Sequence, residues 1–172
     1  MTVICFCVKI CNIMISAMYC LQVWDEVCQQ QKNTICVVAV LRHILDDGVE
    51  GRQKYLDTMA NVAMKHLSAP IKFVWTEVGK QPELQEAIGV KDTIPALRAV
   101  NVNKKAYALH TGAFDDSSVS KFVSSLATGR APTFPLEEIP RIESVDEWDG
   151  TMPEPPQDDD EFSLEDIMSE EI

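Results

Sequence analysis

Six cysteines, at positions 5, 7, 11, 20, 28 and 36, offer the most reactive chemistry in this chain, and none follows Cys36. Thiol–disulfide exchange uses two cysteines one helical turn apart, as in Cys-x-x-Cys, so that one thiolate attacks and the other resolves the mixed disulfide. That spacing does not occur here: Cys5 and Cys7 form Cys-x-Cys, and Cys28 and Cys36 have seven residues between them. Cys28 and Cys36 flank a turn, so a disulfide joins them if their Cβ atoms face each other. It would close a small loop and add about 2 to 3 kcal/mol on the chain-entropy estimate. The alternatives are two buried free thiols acting as small apolar side chains, or an exchange-active pair. A cluster this local does not staple a whole fold, and without a second ligand pair at finger spacing it does not describe a zinc site. His43, His66 and His110 are scattered and repeat no metal or catalytic spacing. The run Asp158, Asp159, Asp160 and Glu161 could hold Ca²⁺ weakly, but it lacks the glycine and the spacing of a dedicated loop. No catalytic residue, metal or cofactor is implied by these patterns.

The net charge of −12 is unevenly spread. Up to Leu136 there are 12 acidic and 14 basic residues, whereas beyond it 15 acidic residues face Arg141 alone. An acidic tail of this kind repels nucleic acid and anionic lipid, so phosphate-binding functions are disfavoured. Residues 1–22 are strongly apolar with Lys9 as their one charge, a composition shared by signal peptides and membrane anchors, although Asn12 and Ser16 interrupt the run. They are read as a Cys-rich segment outside the domain, a signal, an anchor or a misassembled N-terminus, with an additional buried strand as the alternative, and the relation to a membrane stays open.

The elements that must position any site fall between residues 23 and 130. Val23, Trp24, Val27 and Cys28 share a face at helical spacing. Ile35 to Leu41 is an unbroken apolar run rich in β-branched residues, the pattern of a strand covered on both faces. Past Gly48 and Gly51, Leu56, Met59, Ala60, Ala63 and Leu67 predict a helix that Pro70 stops. Ile71 to Thr76 predicts a second buried strand. Pro82 opens a short helix carrying Leu84, Ala87 and Ile88, with Gly89 as its cap. Ala96–Asn101 and Lys105–His110 predict an antiparallel pair, with Asn103 suited to a left-handed turn position. Asp115 and Asp116 open a last helix with Val119, Phe122, Val123 and Leu126 on one face, ended by Gly129. From Ala131 to Ile172 the prolines and carboxylates predict a disordered acidic tail. Within it, Ser163 to Met168 predicts a short amphipathic helix, too short to stand alone.

This order, followed by Thr93-Ile94-Pro95-Ala96, resembles a thioredoxin-like α/β fold: a mixed central sheet flanked by helices. The resemblance implies a cis bond between Ile94 and Pro95, with the Ile94 backbone beside the groove where extended peptides pair. It also places Arg42 to Val49 where the reactive cysteines would stand. Asp46 and Asp47 there would raise the pKa of any neighbouring thiol, which closes that chemistry.

Several motifs in order make the resemblance more specific: Cys28 and Cys36 around a short turn, Ile35 to Asp46, Gly51 to Leu56, Phe73 to Gly79, Glu147 to Gly150, and the acidic end with Phe162 to Met168. Together they are similar to the C-terminal part of the protein disulfide-isomerase subfamily with two catalytic thioredoxin domains followed by one non-catalytic domain. The resemblance implies a non-catalytic module of the endoplasmic-reticulum lumen that binds unfolded or partly folded proteins, or partner chaperones, during oxidative folding. The catalytic Cys-Gly-His-Cys of that family does not occur in this chain, nor does a Lys-Asp-Glu-Leu type retrieval signal in its closing Ser169-Glu170-Glu171-Ile172. Two alternatives are an active isomerase using Cys28 and Cys36, and a low-affinity calcium adaptor working through Asp158 to Glu161.

Overall fold

Buried apolar runs decide the architecture, because a strand covered on both faces must lie at the centre of a sheet. In the computed structural model, which describes residues 8–10, 13–17, 24–29, 33–91, 93–146 and 148–153, that strand is β3 (Ile35–Leu41), whose Val37 to Val40 have no solvent exposure. Alternate residues feed two cores. Val37, Ala39 and Leu41 pack with α2 (Ile44–Lys65) and α4 (Asp116–Ala127) on one face of the sheet. Cys36, Val38 and Val40 pack on the other with Trp24, Leu84 and Ile88. Trp24 precedes the π-helical turn α1 (Asp25–Gln29), and Leu84 lies on α3 (Pro82–Ala87).

Among the described residues the sheet has seven strands in the order β1-β2-β4-β3-β5-β6-β7. These are β1 (Val8–Ile10), β2 (Ile13–Ala17), β3, β4 (Ile71–Glu77), β5 (Ala96–Asn101), β6 (Ala106–Leu109) and β7 (Thr133–Pro135). Strands β2 and β3 run parallel to β4 on either side of it. Strand β5 turns antiparallel to β3, and β6 and β7 continue antiparallel. Parallel strands joined by helices, then an antiparallel pair and a final helix, make the fold thioredoxin-like.

Four expectations change. The domain does not begin at residue 23, because β2 supplies the first parallel strand, its Ile15 to Ala17 pairing with Phe73 to Trp75. Among the described residues no helix is long and apolar enough to cross a membrane. Helix α2 starts at Ile44 rather than past Gly51, and it bends at Gly48, whose φ of 67° glycine adopts without a Cβ penalty. In the β5–β6 connection the left-handed residue is Lys105, with φ 46°. Asn101 caps that turn by accepting from the Lys104 amide at 3.0 Å.

The fourth change concerns the segment from Ala131, expected to be disordered and found folded back across the domain as far as Pro153. Its prolines bar it from a continuous ladder, so side chains satisfy it instead. After β7, Leu136 and Ile142 are buried in the second core. The fully buried Gln81 amide donates to the Glu143 carbonyl and accepts from the Glu143 amide, both at 2.8 Å. Glu83 receives the Arg141 amide at 3.1 Å. Residues 163–168, where a short helix was expected, lie outside the described residues.

Leu136→Ala removes a side chain that is 2% exposed, so we expect a loss of roughly 2 to 4 kcal/mol in urea unfolding of the whole chain. A loss below about 0.5 kcal/mol, the range of ordinary surface changes, would show that this strap is not part of the core.

Candidate functional site

The site that the fold offers lies where β3 ends, and a buried guanidinium organises it. Arg52 sits on α2 with only 3% exposure, in a setting where a charge must be paired and hydrogen-bonded. It donates to Oε2 of Glu77, the last residue of β4, and to the carbonyl of Arg42 at 3.0 Å. Its guanidinium also lies 5.3 Å from the ring centroid of Trp75 and 5.1 Å from that of Trp148, which meet edge to face. Cations are attracted to the faces of such rings, most strongly when desolvated. Trp148 is held in place by its own small turn. Its indole donates to the Thr151 carbonyl at 2.7 Å, while Asp149 accepts from the amide and hydroxyl of Thr151. Those bonds from Thr151 hold the Asp149 carboxyl below its ordinary pKa.

Arg42 and His43, immediately after β3, complete the arrangement. His43 caps α2 by accepting from the Leu45 amide through Nδ1 at 3.3 Å, and its Nε2 lies 3.4 Å from Glu77. Arg42 reaches the other side, donating from Nε to the carbonyl of Ile94 at 3.1 Å. The Ile94–Pro95 peptide bond is cis and leads into β5. The candidate peptide-binding residues Ile94 and Pro95 are therefore half-buried at the end of the sheet, with one backbone acceptor already engaged. Leu45, 62% exposed, and Asp46 stand exposed on the first turn of α2.

Cys28 and Cys36 are bonded to each other, S–S 2.04 Å with Cα atoms 5.6 Å apart. Each is 1% exposed and packs among the second core. A thiolate must reach a sulfur for exchange, and this burial keeps external thiols away, which argues against isomerase chemistry at this pair. Asp158, Asp159, Asp160 and Glu161, the weak calcium candidates, lie outside the described residues. Among the described residues no group of three or more His, Cys, Asp and Glu is arranged to hold a metal ion.

Two histidine–serine contacts invite comparison with a nucleophile and its base. His110 Nε2 lies 3.0 Å from Ser118 Oγ, and His66 Nε2 lies 2.9 Å from Ser120 Oγ. Among the described residues no carboxylate is hydrogen-bonded to either imidazole, as an activated serine requires: Asp115 accepts from the Ser118 amide and caps α4 instead. Burial holds the His110 pKa down, opposed by the bond to Ser118 and the nearby Asp115, and assisted by Arg98. Its ring also packs on Phe122 at 5.2 Å, so it ties the end of β6 to α4.

Residue-by-residue reading missed the Arg52 cluster, although its members sit in separate motifs. Arg52 lies in the Gly51–Leu56 motif, Trp75 and Glu77 in Phe73–Gly79, and Trp148 in Glu147–Gly150. The available signal was a cation in the stretch leading into an apolar helix face, combined with tryptophans far apart in sequence.

Glu77→Gln leaves Arg52 buried without its counter-charge, and we expect a loss of about 3 kcal/mol in chemical unfolding. Arg52→Met, which removes the charge and keeps the volume, should cost less. Equal and small losses, under about 0.5 kcal/mol, would show that the pair is effectively solvated.

Against known proteins, a family model described as the PDIA6-like, C-terminal thioredoxin-like domain matches residues 13–131. The chain is 41% identical over 137 residues to protein disulfide isomerase-like 2-3 of Oryza sativa subsp. japonica, covering 79% of this chain and 31% of that protein. It is 36% identical over 149 residues to protein disulfide-isomerase A6 of Homo sapiens, covering 83% of this chain and 34% of the relative. The chain thus spans about a third of the length of these relatives. Among solved structures, the bb fragment of ERp72 aligns with a TM-score of 0.52 at 11% identity, over 69% of this chain and 50% of that one, a likeness of fold. The family model begins at the first residue of β2 and ends just before β7, so it spans the five inner strands of the sheet, β2 to β6. The chain belongs to the protein disulfide-isomerase A6-like family and carries its C-terminal thioredoxin-like domain.

Proposed function

We propose that this chain is a non-catalytic binding module of a protein disulfide-isomerase, holding unfolded or partly folded polypeptides during oxidative folding in the lumen of the endoplasmic reticulum. The observation that carries the reading is the surface at the end of β3. There the place of a reactive thiol pair holds Arg42 to Asp47, and Leu45, 62% exposed, stands on the same turn as the arginine that reaches the Ile94 backbone. An apolar side chain near a strand-entering backbone is what an extended chain needs: main-chain pairing for affinity and a side-chain contact for selectivity. Family membership supports the setting. A buried internal disulfide, Cys28–Cys36, suits an oxidising compartment, where such bonds persist. Disulfide exchange by the relatives' other domains is proposed to act on polypeptides held here, and partner chaperones are proposed as further occupants.

The test is fluorescence anisotropy of the whole chain with fluorescein-labelled, carbamidomethylated ribonuclease A, an unfolded polypeptide without free thiols. Saturable binding is expected, weakened at least about threefold by Leu45→Asp, a change at an exposed position. Turnover in an insulin-reduction assay, lost on Cys28→Ser, would replace the binding role with an enzymatic one. Binding that Leu45→Asp leaves untouched would move the role away from this surface.

A further inference from the structure

The surface just described is obstructed by one of its own residues. The Ile94 carbonyl, the backbone acceptor nearest the candidate groove, already receives the Arg42 Nε hydrogen at 3.1 Å. An incoming strand that pairs with Ile94 uses that acceptor, and the guanidinium already seated on it competes for the carbonyl's lone pairs and for the space beside them. Arg42 is built to yield. Its main chain is fixed, because its carbonyl accepts from the buried Arg52 at 3.0 Å. Its side chain is 50% exposed, and its second contact, to Asp47, is long at 3.7 Å. An ion pair of that length, with the arginine half in water and the Asp47 side chain 15% exposed, holds the guanidinium weakly, so the side chain can swing into water while the backbone stays in place.

We infer that Arg42 is a latch on the polypeptide-binding edge: closed on Ile94 when the edge is empty, and displaced when an extended chain pairs there. This inference rests on the proposed binding role and names the residue that sets its affinity. Affinity for polypeptide is reduced by the fraction of molecules in which the latch is closed. The latch discriminates by backbone, since only a segment offering a free N–H in extended conformation replaces the bond that the guanidinium gives up. The Arg52 cluster takes part at one remove. By holding the Arg42 carbonyl it keeps the swinging side chain aimed at Ile94, so Trp148, acting through Arg52, is a positioning residue for the latch.

Two measurements on the whole chain test it, with the labelled, carbamidomethylated ribonuclease A as probe. Anisotropy titration of Arg42→Ala and Arg42→Gln should show binding roughly three- to tenfold tighter than wild type, the range set by losing one competing, solvent-exposed hydrogen bond. In ¹⁵N NMR of the wild type, the Arg42 Nε–H should be protected from exchange in the free protein and lose that protection when the probe saturates it. Equal affinities for wild type and variants, with Nε–H protection unchanged on saturation, would overturn the latch and leave the binding role standing. Weaker binding by the variants would overturn the latch by making Arg42 a direct contact. Binding by neither protein would overturn both.

Discussion

A guanidinium buried at the junction of helix, sheet and strap is the constraint on which the rest of this structure depends. Arg52 lies where water cannot solvate its charge, so its neighbours must do so. Glu77 balances the charge, the Arg42 carbonyl takes one N–H, and the faces of Trp75 and Trp148 stand against the delocalised plane. The partners come from three parts of the chain besides α2 itself: β4, which supplies both Glu77 and Trp75, the turn after β3, and the strap that follows β7. Satisfying one residue therefore fixes four segments relative to one another, and the surface at the end of β3 inherits its shape from that fixation.

Much of the fold was legible because its central strands carry no competing signal. Ile35–Leu41 is a continuous apolar run, Ile71–Trp75 is apolar but for Lys72, and the periodicity of Val119, Phe122, Val123 and Leu126 describes one face of one helix. The first parallel strand was obscured because Ile13–Ala17 lies in an apolar stretch whose composition equally describes a leader or an anchor. Only its pairing with Phe73 to Trp75 distinguishes these. The strap was obscured for a different reason. Six prolines and many carboxylates in residues 131–172 deny the segment a ladder, and its order comes from the Gln81 amide, from Leu136 and from Trp148, contacts that span more than fifty residues. Local pattern carries no information about such contacts.

The candidate site divides in the same way. The lack of a thiol pair after β3 and the proline at its edge were visible as residue types. Pairing of Cys28 with Cys36 remained one of several readings until their Sγ atoms were placed, since a seven-residue gap accommodates bonded and free thiols alike. The Arg52 cluster was invisible as a unit, yet its members lie within the motifs that made the family resemblance specific. The scaffold thus keeps a sheet, a helix N-terminus and a proline edge around a place without thiols. Its remaining chemistry there is hydrogen bonding and apolar contact, the chemistry on which the proposed binding role rests.

The central claim is that Arg52 joins the strap to the turn after β3 as one unit. A double-mutant cycle of Arg52→Leu and Trp148→Leu, read by equilibrium unfolding together with amide hydrogen exchange at residues 42–47, tests it most directly. The account predicts a coupling energy of at least about 1 kcal/mol and faster exchange at residues 42–47 in both single variants. Additive stabilities, with exchange at those amides unchanged by Trp148→Leu, would contradict it.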